Sequence, residues 1–178
     1  MDRFYRRARM TDRYARQIVL PEVGPSGQAR LAAARVLVVG AGGLGCPVLH
    51  YLAAAGIGRL IVVDPDRVEA NNLHRQPLYT MADIGARKVA AARAALLRLN
   101  PDIVVEARPQ RLTPANATAL VAAADIVVDA ADSLAATYVL SDACLQQHTP
   151  LISASAVGLA GYVAGFCAGA PSYRAVFP

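Results

Sequence analysis

Short apolar runs alternate along the chain with segments in which apolar residues recur at helical spacing. The apolar runs are rich in Val, Ile and Leu, as strands buried on both faces of a sheet are. They predict strands at 35–39, 59–63, 103–107, 125–130 and 151–156, with a last one at 162–167. The intervening segments predict helices at 28–34, 44–55, 86–100, 115–123 and 133–148, with a helical turn at 12–18 and a non-helical turn at 24–27. This alternation predicts a Rossmann-like, doubly wound α/β fold whose mostly parallel sheet carries helices on both faces.

The loop after the second predicted strand differs from the other connections. About twenty polar, irregular residues follow Asp64, and a connection of that length inside a compact domain is usually functional. We therefore expect binding groups in this loop.

Composition and charge narrow the class of protein. The 178 residues, 55% of them hydrophobic, suffice for one domain with a full core. Six arginines and two aspartates lie within residues 1–16, so most of the net charge of +5 is concentrated there. We expect a flexible basic arm over 1–11 and a single nucleotide-binding domain over 12–178. The nearly balanced charge of the remainder argues against a nucleic-acid partner.

Apolar run lengths and cysteine spacing indicate the compartment. No run is long enough to span a bilayer, and no signal peptide is apparent. Cys46, Cys144 and Cys167 are odd in number and lack metal-ligand spacing, which is typical of reduced thiols. We expect a cytoplasmic protein without membrane contact.

A glycine fingerprint joins the first strand to the following helix. Gly40, Gly42 and Gly45 fit G-x-G-x-x-G, in which the first glycine permits the turn, the second lets a phosphate approach and the third lets helix and strand pack. The helix N-terminus then offers N–H groups to an anion. Asp64 ends the second strand, where a carboxylate can accept from ribose hydroxyls. These features predict a nucleotide site, which NAD or ATP would satisfy.

Positive charge in the polar loop favours ATP over NAD. Asn72, Arg75 and Lys88 offer donors and charge that suit a triphosphate, and Lys88 is the only lysine among eighteen basic residues. Asp132 follows the fourth predicted strand, where a carboxylate either holds Mg²⁺ against phosphate oxygens or caps the next helix. Asp129 is interpreted as structural.

Several motifs, taken in order, carry a family resemblance. These motifs are Arg13-Tyr14-Ala15-Arg16-Gln17, Gly40–Gly45 with Gly43-Leu44, Asp64-x-Asp66, Asn72-Leu73-His74-Arg75-Gln76, Lys88, and Asp129-x-x-Asp132 with Asp142-Ala143-Cys144. Together they resemble the ubiquitin-activating-enzyme-like adenylyltransferases of thiamin and molybdopterin biosynthesis (ThiF, MoeB and HesA), from about residue 12 to the end of the chain.

The resemblance implies an activity and a set of site residues. The implied reaction is ATP-dependent adenylation of the C-terminal glycine of a ubiquitin-like sulfur carrier that ends in Gly-Gly, with release of pyrophosphate. Asp132 is implied at the Mg²⁺ and the attacked phosphorus, and Arg16 is implied to reach the partner's site in a homodimer. The nucleotide-binding set is Gly40, Gly42, Gly43, Gly45, Asp64, Asp66, Asn72, Arg75, Gln76 and Lys88, of which Arg75 and Lys88 are also assigned to catalysis with Asp132 and Arg16.

The chain departs from the family pattern at two places. Ser133 and Thr137 stand where the family has Asn and Arg after the catalytic Asp, and Ser172 and Ala175 replace the cysteines of a zinc-binding Cys-x-x-Cys. We therefore expect no zinc site, and a short or C-terminally truncated member whose turnover is impaired. The alternatives to the adenylyltransferase are an ATP-binding or dimerisation module without turnover and, less favoured, an NAD-dependent oxidoreductase.

Overall fold

The computed structural model describes residues 12–167 and 171–178, so the expected basic arm over 1–11 lies outside the described residues. Six strands form one sheet in the order β3-β2-β1-β4-β5-β6. Their bounds are β1 Arg35–Val39, β2 Arg59–Val63, β3 Val104–Arg108, β4 Ile126–Asp129, β5 Leu151–Val157 and β6 Ala160–Phe166. The first five strands are parallel and β6 is antiparallel to β5, which confirms the mostly parallel doubly wound fold.

The central strand β1 separates two hydrophobic cores. Val36 and Val38 belong to the core on one face of the sheet, and Leu37 and Val39 to the core on the other. Successive side chains of a strand point to opposite faces, so an apolar run without polar alternation is what two covered faces require. β1 pairs with β2 on one side and with β4 on the other, and its C-terminal end therefore lies where the strand order reverses.

Seven α-helices occur in the described residues. Six of them correspond to predicted segments, and the last, Tyr173–Val176, was not predicted. Their bounds are α1 Ala15–Ile18, α2 Gly24–Ala33, α3 Gly45–Ala55, α4 Lys88–Leu99, α5 Pro114–Ala122, α6 Leu134–Gln147 and α7 Tyr173–Val176. None of the helices in the described ranges has the length and apolar character needed to cross a membrane.

The start of α2 corrects one prediction. Residues 24–27, predicted as a turn, form the first turn of this helix, which begins at Gly24 rather than at residue 28. Pro25 occupies its first turn, where a missing N–H costs no intrahelical hydrogen bond. The Gly-Pro pair therefore starts the helix instead of preceding it.

The N-terminal segment packs at the end of α3 that is remote from the glycine turn. The Tyr14 ring is buried against Gly56, where an added Cβ would lie 2.6 Å from it, and Gly56 has a left-handed φ of 87°. Asn100 Nδ2 donates to the Tyr14 hydroxyl at 2.7 Å and to the Ala53 carbonyl at 2.8 Å. These contacts fix α1 at the edge of the sheet where the parallel strands begin.

Candidate functional site

The glycine turn between β1 and α3 forms the floor of a crevice. Gly40 has φ of 98°, and a Cβ there would collide with the Ala130 carbonyl at the end of β4. A Cβ on Gly45 would collide with the Gly40 carbonyl. Gly42 and Gly43 are less confined, with the nearest atoms to an added Cβ at 3.8 Å and 3.4 Å. Gly40 and Gly45 are therefore required by packing. Gly42 and Gly43, which lie between them, leave space for a ligand because they carry no side chain.

Two side chains hold the carbonyl of Ala41 inside this turn. The Tyr79 hydroxyl donates to the Ala41 carbonyl at 2.8 Å, and Cys46 Sγ donates to the same oxygen at 3.4 Å. Burial raises the pKa of Tyr79 far above its usual range, and burial is also the main cause that raises the pKa of Cys46. Both groups therefore remain protonated donors, and they prevent the turn from rotating.

Asp64 links the end of β2 to the same turn. Its Oδ2 accepts the Ala41 N–H at 2.8 Å and its Oδ1 accepts the Asp66 N–H at 2.8 Å, and the residue is buried. The carboxylate retains acceptor capacity beyond these two bonds, because each oxygen carries two lone pairs. Asp64 therefore has a structural function in the turn, and its ribose contact stays a prediction.

Lys88 is a buried ammonium at the first position of α4. Its side chain is 8% exposed, and Nζ lies 3.2 Å from Oδ2 of the exposed Asp66. The Lys88 N–H donates to the Asp66 carbonyl at 2.9 Å, which fixes the start of the helix against the end of β2. Its positive charge also opposes the rise in the pKa of Cys46.

Arg75 and Gln76 cover the outer surface of the glycine turn. Arg75 Cδ would lie 3.4 Å from a Cβ on Gly43, and its Nη2 donates to Asn72 Oδ1 at 3.0 Å. Gln76 is 2% exposed, with Nε2 near Gly42, and its Oε1 has no hydrogen-bond partner in the described part of the chain. The crevice thus holds a guanidinium and an unpaired amide acceptor above the turn.

Asp132 lies in the turn that follows β4, on the other side of the glycine turn. Ala130 and Ala131 directly precede it, and these are the residues against which Gly40 packs. Asp132 is exposed, and the N-cap of α6 is Ser133, which makes no side-chain capping bond. The interpretation of Asp132 as a helix cap is therefore wrong, and the residue is exposed to solvent.

Arg16 is not brought to this site. The neighbouring Gln17 donates to the Ala55 carbonyl at 2.9 Å, at the last residue of α3. An eleven-residue helix is about 16 Å long, so α1 lies roughly that far from the glycine turn. Arg16 is exposed at the opposite edge of its own sheet and cannot join its own crevice.

The sequence did not predict the contact of Tyr79 with the glycine turn or the hydrogen bonds by which Asp64 holds that turn. Tyr79 is buried, and its aromatic side chain inside a polar loop was the available signal in the sequence. The described residues contain no group of three His, Cys, Asp or Glu side chains arranged to hold a metal ion.

Comparisons with known proteins agree with this geometry. The profile of the ThiF family matches residues 14–178. The chain is 50% identical over 93% of its length to "Adenylyltransferase and sulfurtransferase MOCS3" of Anopheles gambiae, covering 38% of that protein. It is 49% identical over 94% of its length to "Sulfur carrier protein adenylyltransferase" of Thermus thermophilus, covering 64% of that protein. The chain therefore spans between about a third and two thirds of these relatives.

A solved structure has the same fold. It is E. coli MccB, crystallised with AMPCPP and MccA, which superposes with a TM-score of 0.83 at 28% identity, over 92% of this chain and 51% of that one.

Proposed function

Because the chain belongs to the ThiF family, we propose that it adenylates the C-terminal glycine carboxylate of a ubiquitin-like sulfur-carrier protein, using ATP and Mg²⁺. A carboxylate oxygen of the carrier attacks the α-phosphorus, the bond from that phosphorus to the bridging oxygen breaks, and pyrophosphate leaves. The observation that carries the proposal is a pair of cations: Arg75, whose side chain lies over Gly43 of the glycine turn, and the buried Lys88, which pairs with Asp66 after the end of β2.

The crevice suits a nucleoside triphosphate in shape and charge. The low surface at Gly42 and Gly43 admits phosphate oxygens, and the α3 N-terminus directs backbone N–H groups toward them. Asn72, Arg75 and Lys88 would hold the phosphates, and the free lone pairs of Asp64 would accept the ribose hydroxyls. Gln76 Oε1 supplies a further acceptor for a nucleotide donor. Positive groups fixed around the phosphates would stabilise the charge that develops on the leaving pyrophosphate.

Asp132 is the residue that would hold Mg²⁺. An exposed carboxylate beside phosphate oxygens is a common ligand set for this ion. When bound, the ion would neutralise phosphate oxygens at the attacked phosphorus. Its place beside the turn also puts Asp132 near the incoming carboxylate.

Arg16 supports a homodimer. It lies at the edge of the sheet remote from its own crevice, so a contribution to phosphate binding requires a second copy of the chain. Closed two-fold dimers are the commonest assemblies of this kind.

The test is ATP–pyrophosphate exchange with a carrier that ends in Gly-Gly. Asp132→Ala should abolish the exchange. Asp102→Ala, which removes an equally exposed carboxylate near the start of β3, should leave it unchanged. Binding of NAD in preference to ATP–Mg²⁺ in calorimetry would contradict the proposal.

A nucleotide-binding module without turnover is the second candidate. Ser133 and Thr137 favour it, since the Asn and Arg of the family pattern are absent beside Asp132. Tight ATP binding with no exchange in the wild-type chain would establish this candidate instead.

A further inference from the structure

A chain of hydroxyl groups crosses the interior from the C-terminal segment 171–178 to the end of β4. The Tyr173 and Tyr162 hydroxyls lie 3.0 Å apart, and the Tyr162 hydroxyl lies 3.3 Å from Ser153 Oγ. Ser153 Oγ then donates to Asp129 Oδ2 at 3.0 Å. Asp129 and Ser153 are fully buried and Tyr173 is nearly so. Four residues from β4, β5, β6 and α7 therefore form one polar line through an otherwise apolar region.

The direction of these hydrogen bonds follows from Asp129. An ionised carboxylate only accepts, so Ser153 must donate to it, and the Ser153 oxygen must then accept from Tyr162. Tyr162 in turn accepts from Tyr173. Hydrogen bonds aligned in one direction polarise one another, so each hydroxyl strengthens the next.

The inner end of the line holds the turn that carries Asp132. Asp129 Oδ1 accepts the Ala131 N–H at 3.2 Å, while the Ala130 N–H donates to the Val39 carbonyl at 2.9 Å. Ala131 directly precedes Asp132, and Gly40 packs against it. Anchoring the Ala131 peptide therefore limits where Asp132 can point.

The outer end of the line depends on docking of segment 171–178 against α6. The Tyr173 N–H donates to Ser141 Oγ at 3.2 Å, and the Tyr138 hydroxyl donates to the Phe177 carbonyl at 3.0 Å. The Tyr173 ring also makes aromatic contacts with Tyr138, Tyr162, Phe166 and Phe177. These contacts place its hydroxyl against Tyr162.

Neutral donors alone serve the Asp129 carboxylate within the described residues. The family's arginine is replaced by Thr137, which is buried on α6 and whose hydroxyl donates to the Ser133 carbonyl at 3.4 Å. The titratable groups around Asp129 are Cys144 on α6, Tyr162 on β6 and Tyr173 on α7. On β1, the residue paired with Asp129 is the apolar Val39. Burial raises the pKa of Asp129, and its hydrogen bonds from the Ala131 N–H and Ser153 Oγ oppose that rise. Its ionised form thus depends on these donors.

We propose that Asp129 is a positioning residue for Asp132, and that the hydroxyl chain of Ser153, Tyr162 and Tyr173 makes this positioning depend on docking of segment 171–178. The importance of Asp132 rests on the proposed function, whereas the anchoring of Ala131 does not.

The test measures amide hydrogen exchange at Ala131 by NMR in the 178-residue chain. Ser153→Ala removes the hydroxyl in contact with Asp129 and should lower the protection of this amide about tenfold, as expected for loss of one buried hydrogen bond to a charged group. Tyr162→Phe and Tyr173→Phe remove more distant hydroxyls and should have successively smaller effects, about threefold or less. The amide of Leu37 in the core reports global unfolding and provides the reference.

Tyr51→Phe is the matched control. It removes a hydroxyl from a tyrosine on α3 that is 72% exposed and takes no part in the hydroxyl chain or in docking of segment 171–178. Ala131 protection should therefore not change in this variant. In ATP–pyrophosphate exchange, Ser153→Ala should lower kcat about tenfold with little change in KM for ATP.

Each outcome is decisive. Unchanged Ala131 protection in Ser153→Ala, or an equal loss at Ala131 and Leu37, would overturn the positioning role. An unchanged value in Tyr173→Phe, with loss in Ser153→Ala, would overturn the dependence on segment 171–178. If wild type shows no exchange activity, the proposed function fails, and the amide measurement still decides the inference.

Discussion

The two sides of the crevice are built with different chemistry. On the β2 side, ion pairs and hydrogen bonds from backbone N–H groups fix the side chains. This side consists of Asp64, Asp66, Arg75, Gln76 and Lys88. On the β4 side, hydroxyl groups donate to a buried carboxylate. This side consists of Asp129, Asp132 and segment 171–178. No Asp, Glu, Lys or Arg occurs between Asp142 and Arg174. The β4 side therefore relies on neutral donors where the family pattern supplies an arginine.

In the proposed reaction, this difference would separate nucleotide binding from turnover. Phosphate binding needs positive charge, which the β2 side carries in Arg75 and Lys88. Alignment of the carrier's carboxylate would need a fixed Asp132 turn, which the β4 side holds through the bond from the Ala131 N–H to Asp129. Variants on the β2 side should therefore act on nucleotide affinity, and variants on the β4 side on rate.

The largest expected effect is that of Lys88→Met. This substitution keeps the apolar stem and removes a buried positive charge that we propose to bind the phosphates, so kcat/KM for adenylation should fall about 100-fold or more. Its partner Asp66 is exposed and stays solvated, so the fold should persist. Arg98→Met, in the last turn of the same helix, is the control and should retain full activity. Calorimetric ATP binding equal to that of wild type would contradict the assignment of Lys88 to the β2 side.

A smaller effect is expected for Tyr79→Phe. The Ala41 carbonyl would keep only its contact with Cys46, so the free energy of unfolding should fall by about 1 kcal/mol. ATP affinity should fall with it, because the glycine turn loses its strongest anchor. Urea denaturation and calorimetry measure the two effects. Tyr51→Phe alters a tyrosine that is 72% exposed and should change neither.

The sequence predicts the β2 side better than the β4 side, for a physical reason. The glycine fingerprint, Asp64 and Lys88 act through spacing along adjacent elements, and such local signals are visible in a single sequence. The strand order alone brings together the four residues of the hydroxyl chain, Asp129, Ser153, Tyr162 and Tyr173. No local sequence pattern therefore predicts their hydrogen bonds. Asp129 was interpreted as structural, and its contact with the Asp132 turn was not anticipated.

The boundaries of helices and strands were also predicted well only where a local signal in the sequence marks them. The strands lie within one or two residues of their predicted positions because each apolar run is bounded by polar or turn residues. The start of α2 was wrong because Gly-Pro is compatible with both a turn and the first turn of a helix. Tyr79 was missed because a loop has no periodicity that distinguishes a buried aromatic from an exposed one.

The pH dependence of stability in Asp129→Asn tests the buried carboxylate of the β4 side. Burial raises the pKa of Asp129, so the folded state holds this proton more tightly than the unfolded state does. The contribution of this group to stability is therefore lost as the pH rises from about 4 through the folded pKa. Asn does not titrate, so the variant should gain stability relative to wild type as the pH rises. Thermal melts at pH 4.5 and 7.5 measure this, and a smaller relative stability of the variant at pH 7.5 would contradict the sign.

The smallest effect is expected for Arg174→Ala, although its ion pair is the most conspicuous contact of segment 171–178. Arg174 donates to both oxygens of Asp142 at 2.8 Å and 2.9 Å and lies over the Tyr138 ring, and the guanidinium lowers the pKa of Asp142. Both partners are about half exposed, however, and exposed ion pairs contribute little in water. The urea midpoint, followed by circular dichroism, should hardly change. Tyr173→Leu should lower it clearly, because that ring is buried and carries the end of the hydroxyl chain. A larger loss in Arg174→Ala than in Tyr173→Leu would mean that charge, and not burial with neutral hydrogen bonds, docks this segment.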